Sequence, residues 1–142
     1  MLFVSNFFLG ANSMAVQVSW HEEGRVIYQR FQGALEMADV ETVTRALEER
    51  ATDGLPPVHS IVDVRQVTDF PVSFDELNRL KIAAGIPGWM VVIGLHPAVR
   101  SIARMMSWMR GVQYRPVSTL EDALKFLARK DSTLNYLTPE IR

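Results

Sequence analysis

The residues of this chain most suited to chemistry are its three histidines, His21, His59 and His96. They lie far apart in the sequence, without the His-x-x-x-His spacing that places two metal ligands on one helix face. The sequence has no cysteine, which excludes disulfides, thiol nucleophiles and cysteine zinc sites. It also lacks the G-x-S-x-G, Walker and G-x-G-x-x-G motifs. We therefore expect no metal, no cofactor and no catalytic centre.

The three histidines differ in their expected surroundings. His21 and His59 are predicted to be surface residues at strand ends. His96 ends an apolar strand just before a helix, and open parallel sheets bind ligands outside the carboxyl ends of their strands. An enzyme would need the side chains of Asp63 and His96 to converge in one cleft. Of the three functional hypotheses that the sequence supports, enzymatic activity is the weakest.

Hydrophobic periodicity predicts the elements of the first half of the chain. Alternation in "AVQVSWHE" indicates a strand, and "RVIYQRFQG" after Glu23-Gly24 is typical of the second arm of a hairpin. The helical spacing of "MADVETVTRALEERATDG" predicts a helix with Asp39 as its N-cap. Pro56-Pro57 separates this helix from the strand "HSIVDV".

The second half continues the alternation of strands and helices. Helices are predicted from Ser73, from Pro97 and through "TLEDALKFLARK", the last capped by Ser118 or Thr119. Between them, "WMVVIGL" predicts an interior strand covered on both faces, and Pro116 marks "VQYRPV" as an edge or strand end. The order β-β-α-β-α-β-α-β-α predicts a single-domain α/β fold with a mixed, mainly parallel sheet.

The length of the chain and the distribution of its charges indicate how it is organised. Its 142 residues suit one domain, with residues 1–13 as an N-terminal extension, 14–130 as the α/β domain and 131–142 as a C-terminal tail. The net charge of -1 is unevenly distributed, because residues 1–76 hold 5 Lys/Arg against 12 Asp/Glu, whereas residues 77–120 hold 6 Lys/Arg and no acid. We interpret this as a dipolar monomer or complementary faces of a homo-oligomer, with a basic face for an acidic partner or a phosphate-bearing ligand as the alternative, and not as a nucleic-acid site. The apolar run in residues 1–13 is too short to span a membrane.

The predicted helix "PAVRSIARMMSWMRG" carries a wider apolar face than one sheet would cover. This pattern is typical of a deeply packed helix. Because its Met and Trp residues lie beside arginines in the sequence, the face could alternatively meet a second subunit or hold a small apolar or amphiphilic ligand near the carboxyl ends of the strands. The candidate partner or ligand surface comprises Trp89, His96, Arg100, Arg104, Met105, Trp108 and Met109.

The stretch "IVDVRQVTDFPVSFDEL", residues 61–77, contains a candidate regulatory loop of Asp63, Asp69 and Ser73. Together with the element order over about residues 15–130, it resembles the STAS (sulfate transporter and anti-sigma-factor antagonist) family. In that family a strand aspartate leads to Asp-Ser-Ser/Thr-Gly at a helix start, where a partner kinase phosphorylates the Ser/Thr. Asp63 and Ser73 match this pattern, whereas Pro71, Val72 and Phe74 replace its other positions.

The resemblance implies a cytoplasmic, non-enzymatic regulatory domain that acts through protein contacts. The chain is also similar to small bacterial STAS-like or lipid-transfer-like proteins with no settled activity. Ser73 and Glu76 form the S-x-x-E capping box, and the neighbouring acids Asp69 and Asp75 would repel a phosphate. We therefore expect Ser73 to be a helix cap, with phosphorylation as the alternative.

Overall fold

The computed structural model describes residues 16–69, 88–94 and 113–134. The helices predicted from Ser73 and Pro97 fall outside these ranges. So do seven of the candidate residues: Ser73, His96, Arg100, Arg104, Met105, Trp108 and Met109.

The described residues form a five-stranded sheet with a helix on each face. The strands are β1 (Val16–Glu22), β2 (Val26–Ala34), β3 (His59–Asp69), β4 (Trp89–Ile93) and β5 (Gln113–Val117), and the helices are α1 (Met37–Asp53) and α2 (Leu120–Lys130). The strand order is β1-β2-β3-β4-β5, with β1 antiparallel to β2 and every other pair parallel. The predicted mixed, mainly parallel sheet is confirmed.

The β1–β2 hairpin follows from alternation and one glycine. Val16 and Val18 are buried while Gln17 and Ser19 are exposed, as period two requires of a strand with one covered face. Gly24 has φ +78° in the connecting turn, a left-handed conformation that is costly for residues with a Cβ. The predicted hairpin is therefore confirmed.

The core is divided between the two faces of the sheet. One cluster contains Val16, Ile27, Phe31, Leu47 and Val64 on the α1 side, and the other contains Val26, Ile61, Val91, Ile93 and Leu127 on the α2 side. Successive residues of a strand point to opposite faces, so an interior strand between two helical layers must be apolar at every position. This explains the unbroken apolar run in β4.

The two described helices begin with different caps. In α2, the Thr119 side chain accepts a hydrogen bond from the Asp122 backbone N–H at 3.0 Å, so the cap is Thr119, one of the two residues predicted, and not Ser118. In α1, the predicted N-cap Asp39 is wrong, because the helix begins earlier and Glu36 is its N-cap residue. Asp39 instead accepts a hydrogen bond from the Glu36 backbone N–H at 2.9 Å. Neither described helix is both long and apolar enough to cross a bilayer.

Candidate functional site

A buried carboxylate lies near the point where β3 extends beyond β4. Asp63 is 3% exposed and accepts hydrogen bonds from two side chains. The Tyr28 hydroxyl donates to its Oδ2 at 2.5 Å, and the Arg65 guanidinium donates from Nε to Oδ1 at 2.9 Å and from Nη2 to Oδ2 at 2.7 Å. The Arg65 backbone N–H adds a bond to Oδ1 at 3.1 Å. Each carboxylate oxygen therefore has two donors.

Strand pairing brings these residues together. Tyr28 pairs with Ile61, and Arg30 pairs with Asp63, so Tyr28 and Asp63 are diagonal neighbours on one face. The register then shifts, because β3 has one residue more than β2 between this pair and the pair formed by Gln32 and Gln66. A bulge of this kind bends the strand, and here Arg65 turns back onto Asp63.

Gly94 allows the Arg65 side chain to take this position. Its φ is +71°, and a Cβ at this residue would overlap Cγ of Arg65 and lie 3.2 Å from its Cα. Since Gly94 directly follows β4, the end of one strand provides the space in which the arginine of the neighbouring strand lies. We name the group of Tyr28, Asp63, Arg65 and Gly94 the strand-end cluster.

The strand-end cluster fixes the protonation states of its members. Burial alone would raise the pKa of Asp63, but the hydrogen bonds from Arg65 and Tyr28 outweigh it and hold this pKa below its ordinary value. Burial, together with the hydrogen bond to Asp63, raises the pKa of Tyr28 to about 12. The hydrogen bond with Asp63 also raises the pKa of Arg65. An ionised carboxylate whose acceptor positions are filled is a poor base and a poor nucleophile.

A second polar network lies at the amino ends of the parallel strands. His59, predicted at the surface, is 2% exposed, so this prediction is wrong. Its Nδ1 accepts a hydrogen bond from the Trp89 backbone N–H at 2.9 Å, and its Nε2 lies 2.9 Å from Oδ2 of Asp131. Because Nδ1 acts as an acceptor, the proton of the neutral ring must be on Nε2, which donates to Asp131. The imidazole thereby joins β4 to the residue after α2.

Asp131 is the centre of this network. Arg25 donates to its Oδ2 at 2.6 Å, while the Thr133 hydroxyl and backbone N–H donate to its Oδ1 at 2.5 Å and 3.0 Å. Burial opposes the charged form, but the bonds from His59 and Thr133 and the charge of Arg25 hold the pKa of Asp131 well below its usual range. Residues 131–134, assigned from sequence to the C-terminal tail, thus contact the sheet, and Leu134 is 4% exposed.

The structure separates the predicted site residues that it describes. Asp63 lies in the strand-end cluster, and Asp69 is the last, exposed residue of β3, whose carbonyl accepts from the Leu35 backbone N–H at 3.1 Å. Trp89 is the first residue of β4, so it lies at the amino end of the sheet and not at the carboxyl ends, where the sequence placed it. Trp89 and Asp63 therefore do not share a site. Within the described ranges, no three His, Asp or Glu side chains converge on a metal position.

Sequence reasoning missed Tyr28, Arg65, Arg25 and Asp131. The contact of Arg65 with Asp63 could have been predicted from the sequence. Residues two positions apart in a strand share a face, and a charged residue within an apolar strand needs a partner of opposite charge. Tyr28 and Asp131 had no such signal, since their contacts with Asp63 and His59 depend on strand register and on where α2 ends.

Comparison with known proteins gives the same fold. No protein-family model and no curated protein sequence matches the chain. Among solved structures, the unphosphorylated anti-sigma factor antagonist SpoIIAA matches with a TM-score of 0.58 and 17% identity, over 85% of this chain and 100% of that one. An uncharacterised DUF3478-family protein with a SpoIIAA-like fold, from Shewanella loihica PV-4, matches with a TM-score of 0.57 and 16% identity, over 80% and 92% of the two chains.

A third solved structure extends this likeness. An anti-sigma factor antagonist from Mycobacterium paratuberculosis matches with a TM-score of 0.51 and 19% identity, over 79% of this chain and 92% of that one. At such identities the likeness concerns the fold. The chain therefore has the SpoIIAA-like, or STAS, fold that its sequence resemblance implied.

Proposed function

We propose that this protein is a cytoplasmic, non-enzymatic regulatory domain that works by protein–protein contact, as a homodimer. The observation that carries the proposal is the state of Asp63. This buried aspartate is saturated by Tyr28 and Arg65 and has a lowered pKa, so it stabilises the strand end and is unsuited to attacking or deprotonating a substrate. Two of the structural neighbours are anti-sigma factor antagonists, which supports the same class of function.

The contact surface is proposed to begin at the carboxyl end of β3. β4 pairs with β3 from Ser60 to Asp63, whereas β2 remains paired as far as Asp69. The segment from Val64 to Asp69 therefore extends past β4, and Arg65, Thr68 and Asp69 are exposed on it. The strand-end cluster supports this segment at its base, which lowers the entropy lost when a partner binds.

The proposed surface continues through the candidate loop to Ser73 and the face that contains Met105 and Trp108. Sedimentation velocity of the full chain tests the proposed dimer. An aspartate introduced into an apolar interface would become a buried, unpaired charge when two chains associate, so it should prevent dimerisation. We expect a dimer that Met105→Asp or Trp108→Asp converts to monomer. Leu55→Asp is the control, since Leu55 is the large apolar residue most exposed within the described residues, at 68%.

Three results would contradict the proposal. A monomer at all concentrations would exclude the homodimer, and equal dissociation by Leu55→Asp would show that the two face variants act nonspecifically. A lipid that co-purifies with the monomer, detected by native mass spectrometry, would favour a carrier or sensor of an amphiphilic ligand instead. For Ser73, incorporation of phosphate by a cognate kinase that Ser73→Ala abolishes would establish a switch; without such incorporation, the role as a helix cap stays the prediction.

A further inference from the structure

Two cationic side chains flank one aromatic ring where α2 packs on the sheet. The Arg115 guanidinium carbon is 5.3 Å from the centroid of Phe126, and the Lys130 Nζ is 5.7 Å from the same centroid. Lys130 also lies 5.4 Å from the ring of Trp89, which meets Phe126 edge-to-face with centroids 4.9 Å apart. We name Arg115, Lys130, Trp89 and Phe126 the basic corner.

The charges of the basic corner are not neutralised by the described part of the chain. Asp131, adjacent to Lys130 in sequence, is occupied by Arg25, His59 and Thr133. Glu121 pairs with Lys125 at 3.2 Å. Arg115 and Lys130 are exposed, and neither has an ion pair with a carboxylate in residues 16–69, 88–94 or 113–134.

The aromatic rings hold these charges in position. A cation above a ring face is restrained by the ring quadrupole but keeps its N–H donors available to solvent. Lys130 is further favoured where it lies because it occupies the last turn of α2, near the negative end of the helix dipole. The side chains therefore lose less freedom on meeting an anion than ordinary surface lysines and arginines would.

The edge strand beside the basic corner restricts how a partner can bind. The Gly94 N–H donates to the Val117 carbonyl at 3.0 Å, so the backbone groups of Val117 face β4. Alternation then directs the backbone of Pro116 toward the outer edge, where it has no N–H to offer. Addition of a strand across Pro116 is therefore disfavoured, which favours a partner that binds through side chains.

We propose that the basic corner docks an acidic segment of a partner protein, through carboxylate side chains held by Arg115 and Lys130. Charge complementarity supports this occupant, and the net charge of -1 disfavours nucleic acid, which binds domains with a basic charge overall. Because Lys130 lies beside Trp89 at the amino end of β4, this surface is distinct from the one proposed for regulation.

Titration of the full chain with a short poly-glutamate peptide, followed by ¹⁵N NMR, tests the proposal. Because Lys130 lies over the ring of Trp89, the resonance of the Trp89 indole N–H should shift when the peptide binds. The size of this shift should decrease as salt is added, since salt screens the charges. The Arg115→Glu/Lys130→Glu variant should bind at least about tenfold more weakly. Arg45→Glu, on the exposed side of α1, should bind as the unaltered chain does.

A neutral double variant and two competing anions serve as controls for this titration. Arg115→Gln/Lys130→Gln removes the charges without introducing repulsion, and it should still unfold cooperatively while it loses peptide binding. Equal weakening by Arg45→Glu would overturn the proposal, as would saturation of the same resonances by inorganic phosphate alone. If a single-stranded oligonucleotide bound the basic corner more tightly than the poly-glutamate peptide does, the proposed partner would be wrong and nucleic acid would be the better candidate. None of these outcomes depends on the dimer, whose test uses Met105 and Trp108.

Discussion

His59 and Asp131 are 72 positions apart in the sequence, and their side chains meet at 2.9 Å beside the amino end of the sheet. The contact joins the first residue of β3 to the residue that ends α2. Arg25, which lies just before β2, binds the same carboxylate. One aspartate thus connects the start of two parallel strands to the helix on one face.

The first prediction concerns Asp131→Asn. The variant loses the charge that Arg25 and His59 share, which should lower the free energy of unfolding by about 2 kcal/mol, the scale of a hydrogen bond to a charged group. Urea denaturation measures this loss. Asp53→Asn, exposed at the end of α1, should change stability by less than about 0.5 kcal/mol. Similar losses in both variants would contradict a special role for Asp131.

The second prediction concerns acid stability. The folded-state pKa values of Asp63 and Asp131 are both lowered, so their contributions are present above the unfolded pKa of about 3.9 and are lost as pH falls toward the folded values. We expect stability to decline steeply below about pH 4. The stability difference between the unaltered chain and Asp131→Asn should shrink over the same range, as urea midpoints at several pH values would show. A difference that grows toward low pH would refute the assignment.

The third prediction concerns the hydroxyl of Tyr28. Tyr28→Phe removes one donor to Asp63, and it should cost about 1 kcal/mol of unfolding free energy and raise the pKa of Asp63 toward its ordinary value. Carboxyl ¹³C NMR would follow this titration. Arg65→Met acts on the same carboxylate, so the double variant should depart from additivity. Strictly additive losses would mean that the two donors do not cooperate.

The fourth prediction concerns two glycines with similar backbones. Gly94 and Gly33 have φ of +71° and +77°, but a Cβ would meet Arg65 at Gly94 and nothing within 4 Å at Gly33. Gly33→Ala should therefore cost about 1 kcal/mol for the left-handed conformation alone. Gly94→Ala should cost more, because Arg65 must also move. Thermal unfolding compares the two variants, and equal losses would argue against the contact with Arg65.

The fifth prediction concerns Pro116 at the sheet edge. Pro116→Val supplies an outward N–H, so edge-to-edge association should increase and appear in light scattering as a concentration-dependent rise in mass. Gln113→Val on the same strand also adds a β-branched apolar residue, but its backbone faces β4. This control should remain at the mass of the unaltered chain. Association of both variants alike would point to hydrophobicity and not to the backbone donor.

The sequence determined the class of fold because its signals are local. Alternation in β1, the continuous apolar run of β4 and the turn at Gly24 each reflect the backbone geometry of a few neighbouring residues. The Thr119 cap was readable for the same reason. Asp39 was misplaced because an acid in the first turn can either cap a helix or bind back to the residue that does.

The contacts of the strand-end cluster and of Asp131 were decided only in three dimensions. The bond between Tyr28 and Asp63 needs the register of β2 on β3, and the burial of His59 needs α2 to end beside the first residue of β3. Neither condition leaves a pattern in the sequence, because register and helix placement come from the packing of many side chains together. Local periodicity therefore determined which elements form, while long-range packing decided which polar side chains meet.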